Sequence, residues 1–547
     1  MPKLLAVLLL FTLQIVRSEP ELSDTPKESA PIPAVSECIP EAISSLEKPN
    51  IFVFHKGLKT AVSAANKTAQ IHTLQGLNHL HGGWEFEASR HFATAMEADP
   101  QCVMAHWGMV MSMLAPSPET DIHRLATTTR LLDLIAKGKG TRLERGIAFG
   151  LVSYIEKGPV GAEAAFKAVS KNFPKDMQSA IFAALFGRGG YNNAGDITPD
   201  QKQAEAKIEK LVEANPESAI PLHALLLIRA EAPDLRPSLE MARKLCQTVP
   251  DYAPYFHLLG HYEWRCGNHR EAASAFGTAA TLFSIWLKQN DVSPSDCPEW
   301  VEAESYRIVA LSSKGDFDNA LASAKKIAKT SVDLERYAAP GTRQLLWQAR
   351  TLPARILLDR GSKGDAKTAL GLLPKTDENE DFTKKSLSYW WVDGLRIVLE
   401  AHRLLDEGDL KKASETIGAV SYHGQAFVQK RPVATAIGEY SEWLRTFNAL
   451  EILAAELRGK QALMGPKEGQ GSAFNWFRAA ADRQRPATML SPPAVLTPMA
   501  ARLGDFYLTN KKYEKAIETY EEALVAFPND QRTSIKLQIA QEEAAKE

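Results

Sequence analysis

The chain of 547 residues carries 64 Lys and Arg against 66 Asp and Glu, so its formal net charge is −2. This balance, with the basic residues scattered along the chain, excludes the positively charged surface by which nucleic-acid-binding proteins are recognised. With 45% hydrophobic residues, 33 Gly and 31 Pro, the composition is that of a soluble protein with a buried core, not of a disordered or fibrous chain.

The N-terminus has the pattern of a secretory signal peptide. Met1-Pro2-Lys3 is followed by the apolar run Leu4 to Val16 and then by Arg17-Ser18-Glu19. One positive charge, a short apolar core and small residues before the cut are typical of such a leader, whereas about 13 residues are too few to cross a bilayer as a helix. We predict a signal peptide at 1–18, a linker at 19–50 and export to the periplasm or the medium; an uncleaved anchor is the alternative.

Five cysteines, an odd number, leave at least one thiol outside any disulfide in an exported protein. Their wide spacing matches no zinc or redox motif, so most of them are predicted to be small buried apolar residues. They are Cys38, Cys102, Cys246, Cys266 and Cys297.

A pattern of small and aromatic residues recurs along the chain. Small residues at its glycine and first alanine let two antiparallel helices approach closely, the aromatic ring fills the gap, and a proline ends the second helix. Its last copy is Gly504, Ala516, Tyr520, Ala523 and Pro528. The earlier copies are Gly76, Ala88, Phe92, Ala95 and Pro100; Gly150, Ala162, Phe166 and Pro174; and Gly260, Ala272, Phe276 and Ala279.

This spacing resembles the tetratricopeptide repeat, a helix–turn–helix unit of 34 residues. The resemblance implies an all-α fold, an α-solenoid of antiparallel helix hairpins that form a right-handed superhelix. Few strand-like alternations interrupt the helical periodicity. We predict this solenoid over residues 51–530, with its clearest repeats at about 69–102, 143–176, 253–286 and 497–530, followed by a capping helix or tail at 531–547.

The first repeat is also similar to that of a family of exported bacterial tetratricopeptide proteins. Asp99 to Gly108 read Asp-Pro-Gln-Cys-Val-Met-Ala-His-Trp-Gly, close to the family's Asp-Pro-x-Cys-Ala-Met-Ala-Tyr-Trp-Gly. The family's preceding Asn-His pair is replaced here by Trp84-Glu85, so no role of that histidine is carried over. The resemblance covers about residues 69–530 and bears on the fold, because no activity is established for the family as a whole.

The tetratricopeptide resemblance further implies which side chains face the concave groove of the solenoid. Counted along the first helix of each hairpin, the groove-facing candidates are His257, His261, Trp264 and Arg265, with Trp107 in the second repeat. Independently of any family, the i,i+4 spacing of His257 and His261 places them on one helix face. His223 precedes His257 by one repeat length and occupies the matching position of the preceding hairpin.

Two functions fit these residues. The leading prediction is a scaffold that binds a protein or peptide partner in the groove through the five candidates. The alternative is a Zn or Cu site formed by His223, His257 and His261, with an open coordination position. A simpler interpretation is that the histidine pair lines the groove or packs against Tyr255 and Trp264. No phosphate-binding loop, nucleophile elbow or paired-carboxylate motif occurs in a strand–turn–helix segment. The sequence therefore favours a binding protein, and it leaves an enzymatic role open.

Overall fold

A computed structural model describes residues 31–546, apart from 55, 116, 193–194, 376–386, 433–436, 486–488 and 490–491. The predicted signal peptide lies outside the described residues. Over the described residues the fold is all-helical and no strand is formed, apart from one isolated bridge between Tyr191 and Ile197. The predicted all-α fold of helix hairpins is confirmed.

The chain divides into two compact units. The first unit comprises the residues up to Tyr255 together with Lys288–Val292, and the second comprises Phe256–Leu287 together with Ser293–Glu547.

The two helices of a repeat are joined by short connections, such as the three residues between Lys67–His81 and Glu85–Ala98, as expected for hairpins. In the first part of the chain the helices are α1 (Glu41–Ser44), α2 (Lys67–His81), α3 (Glu85–Ala98), α4 (Val103–Ser112), α5 (Asp121–Ala136), α6 (Arg142–Asn172), α7 (Met177–Gly187), α8 (Pro199–Ala214), α9 (Ala219–Arg229), α10 (Leu239–Thr248), α11 (Ala253–Arg265) and α12 (His269–Gln289).

The helices of the remaining chain are α13 (Pro298–Ser313), α14 (Phe317–Ile327), α15 (Pro340–Gln344), α16 (Leu352–Arg360), α17 (Asp365–Leu370), α18 (Leu387–Glu407), α19 (Leu410–Val428), α20 (Ile437–Met464), α21 (Ala473–Arg483), α22 (Met499–Thr509), α23 (Tyr513–Ala526) and α24 (Gln531–Ala544). A π-helical turn, Leu345–Ala349, precedes α16.

The predicted close approach of glycine and aromatic ring is confirmed in all four clear repeats. A Cβ placed on the glycine would lie 2.5–2.6 Å from the ring in each pair, nearer than real Cβ contacts come. The pairs are Gly76 with Phe92, Gly150 with Phe166, Gly260 with Phe276, and Gly504 with Tyr520. The two helices of each hairpin therefore touch at the glycine, and the first helix has no room for a side chain at that position.

In the repeat predicted at about 143–176, the two helices meet at a kink and no loop separates them. Within α6, Gly158 has a non-helical φ of 67° and ψ of −160°, and Pro159 follows it. A positive φ favours glycine, and proline begins a helix better than it continues one. The segment therefore consists of two helices that meet at Gly158.

The two chain ends beyond the predicted solenoid also contain helix. The predicted linker 19–50 includes a 3₁₀ turn, Val35–Cys38, and the short helix α1. The predicted cap or tail at 531–547 contains α24, whose N-terminus is capped by Asp530 through the Thr533 amide. No described helix is both long enough and apolar enough to span a bilayer.

Candidate functional site

His257 and His261 lie together on α11 in the second unit. Their Nε2 atoms are 3.1 Å apart and their rings stack with centroids 4.8 Å apart, so one imidazole donates a hydrogen bond to the other. His261 is also covered by the edge of Tyr306, whose ring centroid lies 4.4 Å away. Burial, and then the charge of His257, hold the pKa of His261 well below its usual range. Both imidazoles are buried, and His261 is held in its neutral form.

His223 lies on α9 in the first unit. Its Nδ1 donates to the carbonyl oxygen of His81 at 2.7 Å, and its ring packs against Tyr255 with centroids 5.1 Å apart. Burial lowers the pKa of His223 to about 3, so this imidazole is neutral at physiological pH. A metal site that combines His223 with the α11 pair stays a prediction.

The two tryptophans predicted to face the groove are buried. Trp107 is 0% exposed and meets Phe182 edge-on, whereas Trp264 is 2% exposed and meets Tyr306. Arg265 is partly exposed. Counting along each helix predicted that both rings face the groove. In the structure, side chains of other helices cover each ring. Neither ring presents a surface to a partner in this structure.

A cluster of three imidazoles forms between α2 and α3 in the first unit, and we call it the imidazole cluster: His72, His79 and His91. The Nδ1 atoms of His72 and His91 are 2.9 Å apart, and the rings of His79 and His91 stack with centroids 5.2 Å apart. His79 and His91 are 2% and 0% exposed. Burial lowers the pKa of His79 to about 3, and burial with the neighbouring charges of His79, His72 and Arg90 lowers the pKa of His91 further.

Glu87 completes this site from the same face of α3 as His91. Its Oε1 is 4.0 Å from His91 Nε2, while its Oε2 accepts a hydrogen bond of 2.7 Å from Arg90. Glu87 is 5% exposed. Among the described residues, His79, Glu87 and His91 are the one trio of His, Cys, Asp or Glu side chains whose ligand atoms lie within 4.8 Å of one another.

The sequence analysis missed this trio, although the sequence contains a signal for it. Glu87 and His91 have i,i+4 spacing on α3, and His72 and His79 have i,i+7 spacing on α2, so each pair shares one helix face. Since α2 and α3 form the first repeat, their inner faces meet. Pairing titratable residues across each predicted hairpin would have found the site.

Helix α5 presents an unusual surface in the first unit. Ile122, Leu125 and Leu132 are 67%, 69% and 45% exposed and lie on one face of the helix at i, i+3 and i+10. The opposite face buries Leu131 and Leu134 in the first unit. Helix α5 is therefore apolar on two faces, and the described residues cover only one of them.

A small recess in the second unit includes three charged side chains that already contact protein groups. Arg355 donates to the Ala494 carbonyl oxygen at 2.8 Å, Asp359 accepts from Thr497 at 3.0 Å, and Glu456 accepts from Arg502 at 3.0 Å. These contacts join helices and loops of the second unit, and they identify the recess as a structural junction.

Comparison with protein families matches the tetratricopeptide repeat to residues 498–530, the last of the repeats predicted from the sequence. The match covers α22, α23 and the turn after them. Comparison with curated protein sequences gives no match.

Solved structures similar to the chain include the TPR domain of P58(IPK), human IFIT1 solved as a dimer with m7Gppp-AAAA, and yeast Tom70. Their sequence identities are 16%, 13% and 12%, and their TM-scores are 0.21, 0.35 and 0.32. The alignments cover 88%, 81% and 87% of this chain and 99%, 90% and 96% of those chains. With TM-scores below 0.5, these likenesses give no information on function.

Proposed function

We propose that this chain is an exported helical-repeat scaffold, and that it binds a protein partner through the exposed apolar face of α5. The observation that carries the proposal is the pair of apolar faces on one helix. Contiguous exposed apolar side chains on a soluble protein mark interaction sites. Burial of an exposed Leu or Ile contributes about 1.5–3 kcal/mol, so Ile122, Leu125 and Leu132 together supply a substantial part of a binding free energy.

Helix α5 is held in place by contacts that do not use this face. The segment before α1 binds α5 through hydrogen bonds to three backbone carbonyl groups: His123 Nδ1 to Glu37 at 2.8 Å, Thr127 Oγ1 to Cys38 at 3.2 Å and Arg130 to Pro33 at 2.7 Å. A rigid helix loses little conformational entropy on binding.

The shape of the surface favours a helical partner. From Ile122 to Leu132 the face extends over ten residues, about 15 Å along the helix axis. A row of large aliphatic side chains at helical spacing packs into the groove of a second amphipathic helix. The partner is therefore expected to present an apolar helix face.

Photo-crosslinking in the natural host tests the surface. A photoreactive residue at position 125 is expected to join the chain to one partner, whereas the same residue at Val525, which is 83% exposed on α23, serves as the matched control. Leu125→Glu should abolish retention of that partner, and Val525→Glu should leave it unchanged. Equal crosslinking from both positions would contradict the proposal, and so would retention of the partner by the Leu125→Glu variant.

Export is supported by the N-terminal sequence alone. The expected mature chain begins at Glu19, after the leader that ends at Ser18. N-terminal sequencing of the protein recovered from the exported fraction tests this. A chain that stays in the cytoplasm, or keeps Met1, would contradict export without bearing on partner binding.

Zn or Cu binding by His223, His257 and His261 is a second candidate function. It is favoured by the two Nε2 atoms of the α11 pair, which lie 3.1 Å apart and are close to the spacing of two ligands on one tetrahedral ion, about 3.4 Å. Elemental analysis of the purified chain is expected to find stoichiometric metal that His261→Ala removes. Its retention by that variant would exclude the pair as ligands.

A further inference from the structure

We propose that His79, Glu87 and His91 bind one divalent transition-metal ion in the first helical hairpin, with Zn²⁺ the ion that fits these ligands best. This site is separate from the α5 surface and from the α11 histidine pair, and it does not depend on the proposed function. Two imidazole nitrogens and one carboxylate oxygen are a ligand set that Zn²⁺ prefers.

The hydrogen bonds of His79 leave its Nε2 as an electron-pair donor. Tyr252 donates its hydroxyl hydrogen to the His79 carbonyl oxygen at 3.4 Å, so its oxygen accepts from His79 Nδ1 at 3.2 Å. A neutral imidazole that carries its proton on Nδ1 has a lone pair on Nε2. In the described structure this Nε2 is buried and has no hydrogen-bond partner.

His91 is arranged in the same way. Its Nδ1 is 2.9 Å from His72 Nδ1, and we assign the shared proton to His91. Its Nε2 then carries a lone pair, and within the described part of the chain this buried atom also makes no hydrogen bond. Metal-bound histidines usually donate their second N–H to an acceptor, which fixes the ring and its tautomer. Tyr252 and His72 supply these acceptors.

The three side chains thus lie close together in a buried space. Glu87 Oε1 lies 4.0 Å from His91 Nε2, beyond hydrogen-bonding distance. Two ligands of one tetrahedral ion lie about 3.4 Å apart, so these two atoms would approach each other by about 0.6 Å to hold Zn²⁺. One possible ligand atom of each of the three residues lies within 4.8 Å of the other two, and side-chain rotations would complete the site.

Arg90 determines what the fourth ligand should be. Its guanidinium binds Glu87 Oε2 at 2.7 Å and neutralises the carboxylate. A divalent ion then brings net positive charge into the protein interior, which favours an anionic fourth ligand. We therefore expect hydroxide or a small carboxylate at the open coordination position.

Metal titration of the full mature chain tests the site. After treatment with a chelator, the chain is expected to take up one Zn²⁺, measured by elemental analysis and calorimetry, and one Co²⁺, measured by its visible absorption. Uptake of less than stoichiometric Zn²⁺ and Co²⁺ would overturn the proposal. Zn²⁺ should also raise the melting temperature, because a ligand that binds only the folded state stabilises it.

Variants assign the ligands. His91→Gln should abolish the Co²⁺ spectrum, and the near-isosteric Glu87→Gln should weaken Zn²⁺ binding without loss of the fold, as circular dichroism checks. Tyr252→Phe removes an outer acceptor and should weaken binding about 10–100-fold. His261→Gln is the matched buried-histidine control. Metal that is lost from His261→Gln but kept by His91→Gln and Glu87→Gln would overturn the proposal in favour of the α11 site.

Discussion

The ring of Phe276 occupies the space that a side chain on Gly260 would need. A Cβ on Gly260 would lie 2.6 Å from Phe276 Cδ1, and the neighbouring rings of His261 and Tyr306 pack against the same phenyl group. The close approach of α11 and α12 therefore depends on the absence of one methyl group. The same relationship recurs in the other three clear repeats.

Gly260→Ala is expected to destabilise the protein. The added methyl group must displace a packed ring, and overpacking of this kind costs about 1–3 kcal/mol. Gly418→Ala is the matched control, because Gly418 lies in α19 and a Cβ added to it would meet no described atom within 4 Å. There the greater helix propensity of alanine should stabilise the protein by about 0.5–1 kcal/mol. Urea denaturation measures both changes, and equal effects would refute the packing argument.

The fold was predictable because its determinants are local. Gly76 and Phe92 are sixteen residues apart, and their spacing specifies both helices of a hairpin and the contact between them. The candidate site depends on more distant contacts. His79 meets Tyr252, which is 173 residues away, and no periodicity within one repeat indicates that contact. Likewise, the burial of Trp264 depends on Tyr306 in the next hairpin, so the groove assignment could not be made from α11 alone.

The thiols are expected to differ sharply in reactivity. None of the five cysteines, all of which are described, forms a disulfide. Cys266 is partly exposed, whereas the others are buried, and burial raises the pKa of Cys246 to about 12. Since the thiolate is the reactive form, a thiol reagent should label one cysteine in the native protein and five in denaturant. Cys266→Ser should remove the native reaction, and its persistence would show that another thiol is accessible.

Acidification is expected to destabilise the protein through buried neutral histidines such as His106. Its Nδ1 donates to the Cys102 carbonyl oxygen at 2.9 Å, and its Nε2 accepts from Arg130 at 3.2 Å. Burial lowers the pKa of His106 to about 4, from 6.5 in the unfolded chain. Its contribution to stability is therefore complete above pH 6.5 and is lost as the pH falls towards 4, because the unfolded state takes up the proton first.

The slope of stability against pH measures this contribution. One proton changes the free energy of unfolding by about 1.4 kcal/mol per pH unit. Between pH 6 and 4.5, His106→Gln should reduce the slope by about this amount, and from pH 7.5 to 8.5 it should leave the slope unchanged. An unaltered slope in the acid range would mean that His106 is already protonated in the folded protein.

Arg532 is expected to be essential for docking α24 on α16 within the second unit. Asp359 on α16 is 3% exposed and accepts hydrogen bonds from Ser312 at 2.6 Å, from Thr497 at 3.0 Å and from the Arg532 guanidinium. Removal of the guanidinium leaves a buried carboxylate without its counter-charge, at a cost of about 3–5 kcal/mol. Arg532→Ala should therefore lower the denaturation midpoint and increase proteolysis of the C-terminal helix.

A double-mutant cycle separates the charge from the packing of Arg532. Asp359→Asn removes the carboxylate charge, so Arg532→Ala should cost much less in that background than in the wild type. Arg236→Ala is the control for an exposed ion pair: Arg236 and Asp234 are 77% and 47% exposed, and its effect should stay below about 1 kcal/mol. If Arg532→Ala costs the same with and without the Asp359 charge, the stabilisation comes from side-chain packing, including the contact of Arg532 with the Phe317 ring 5.1 Å away.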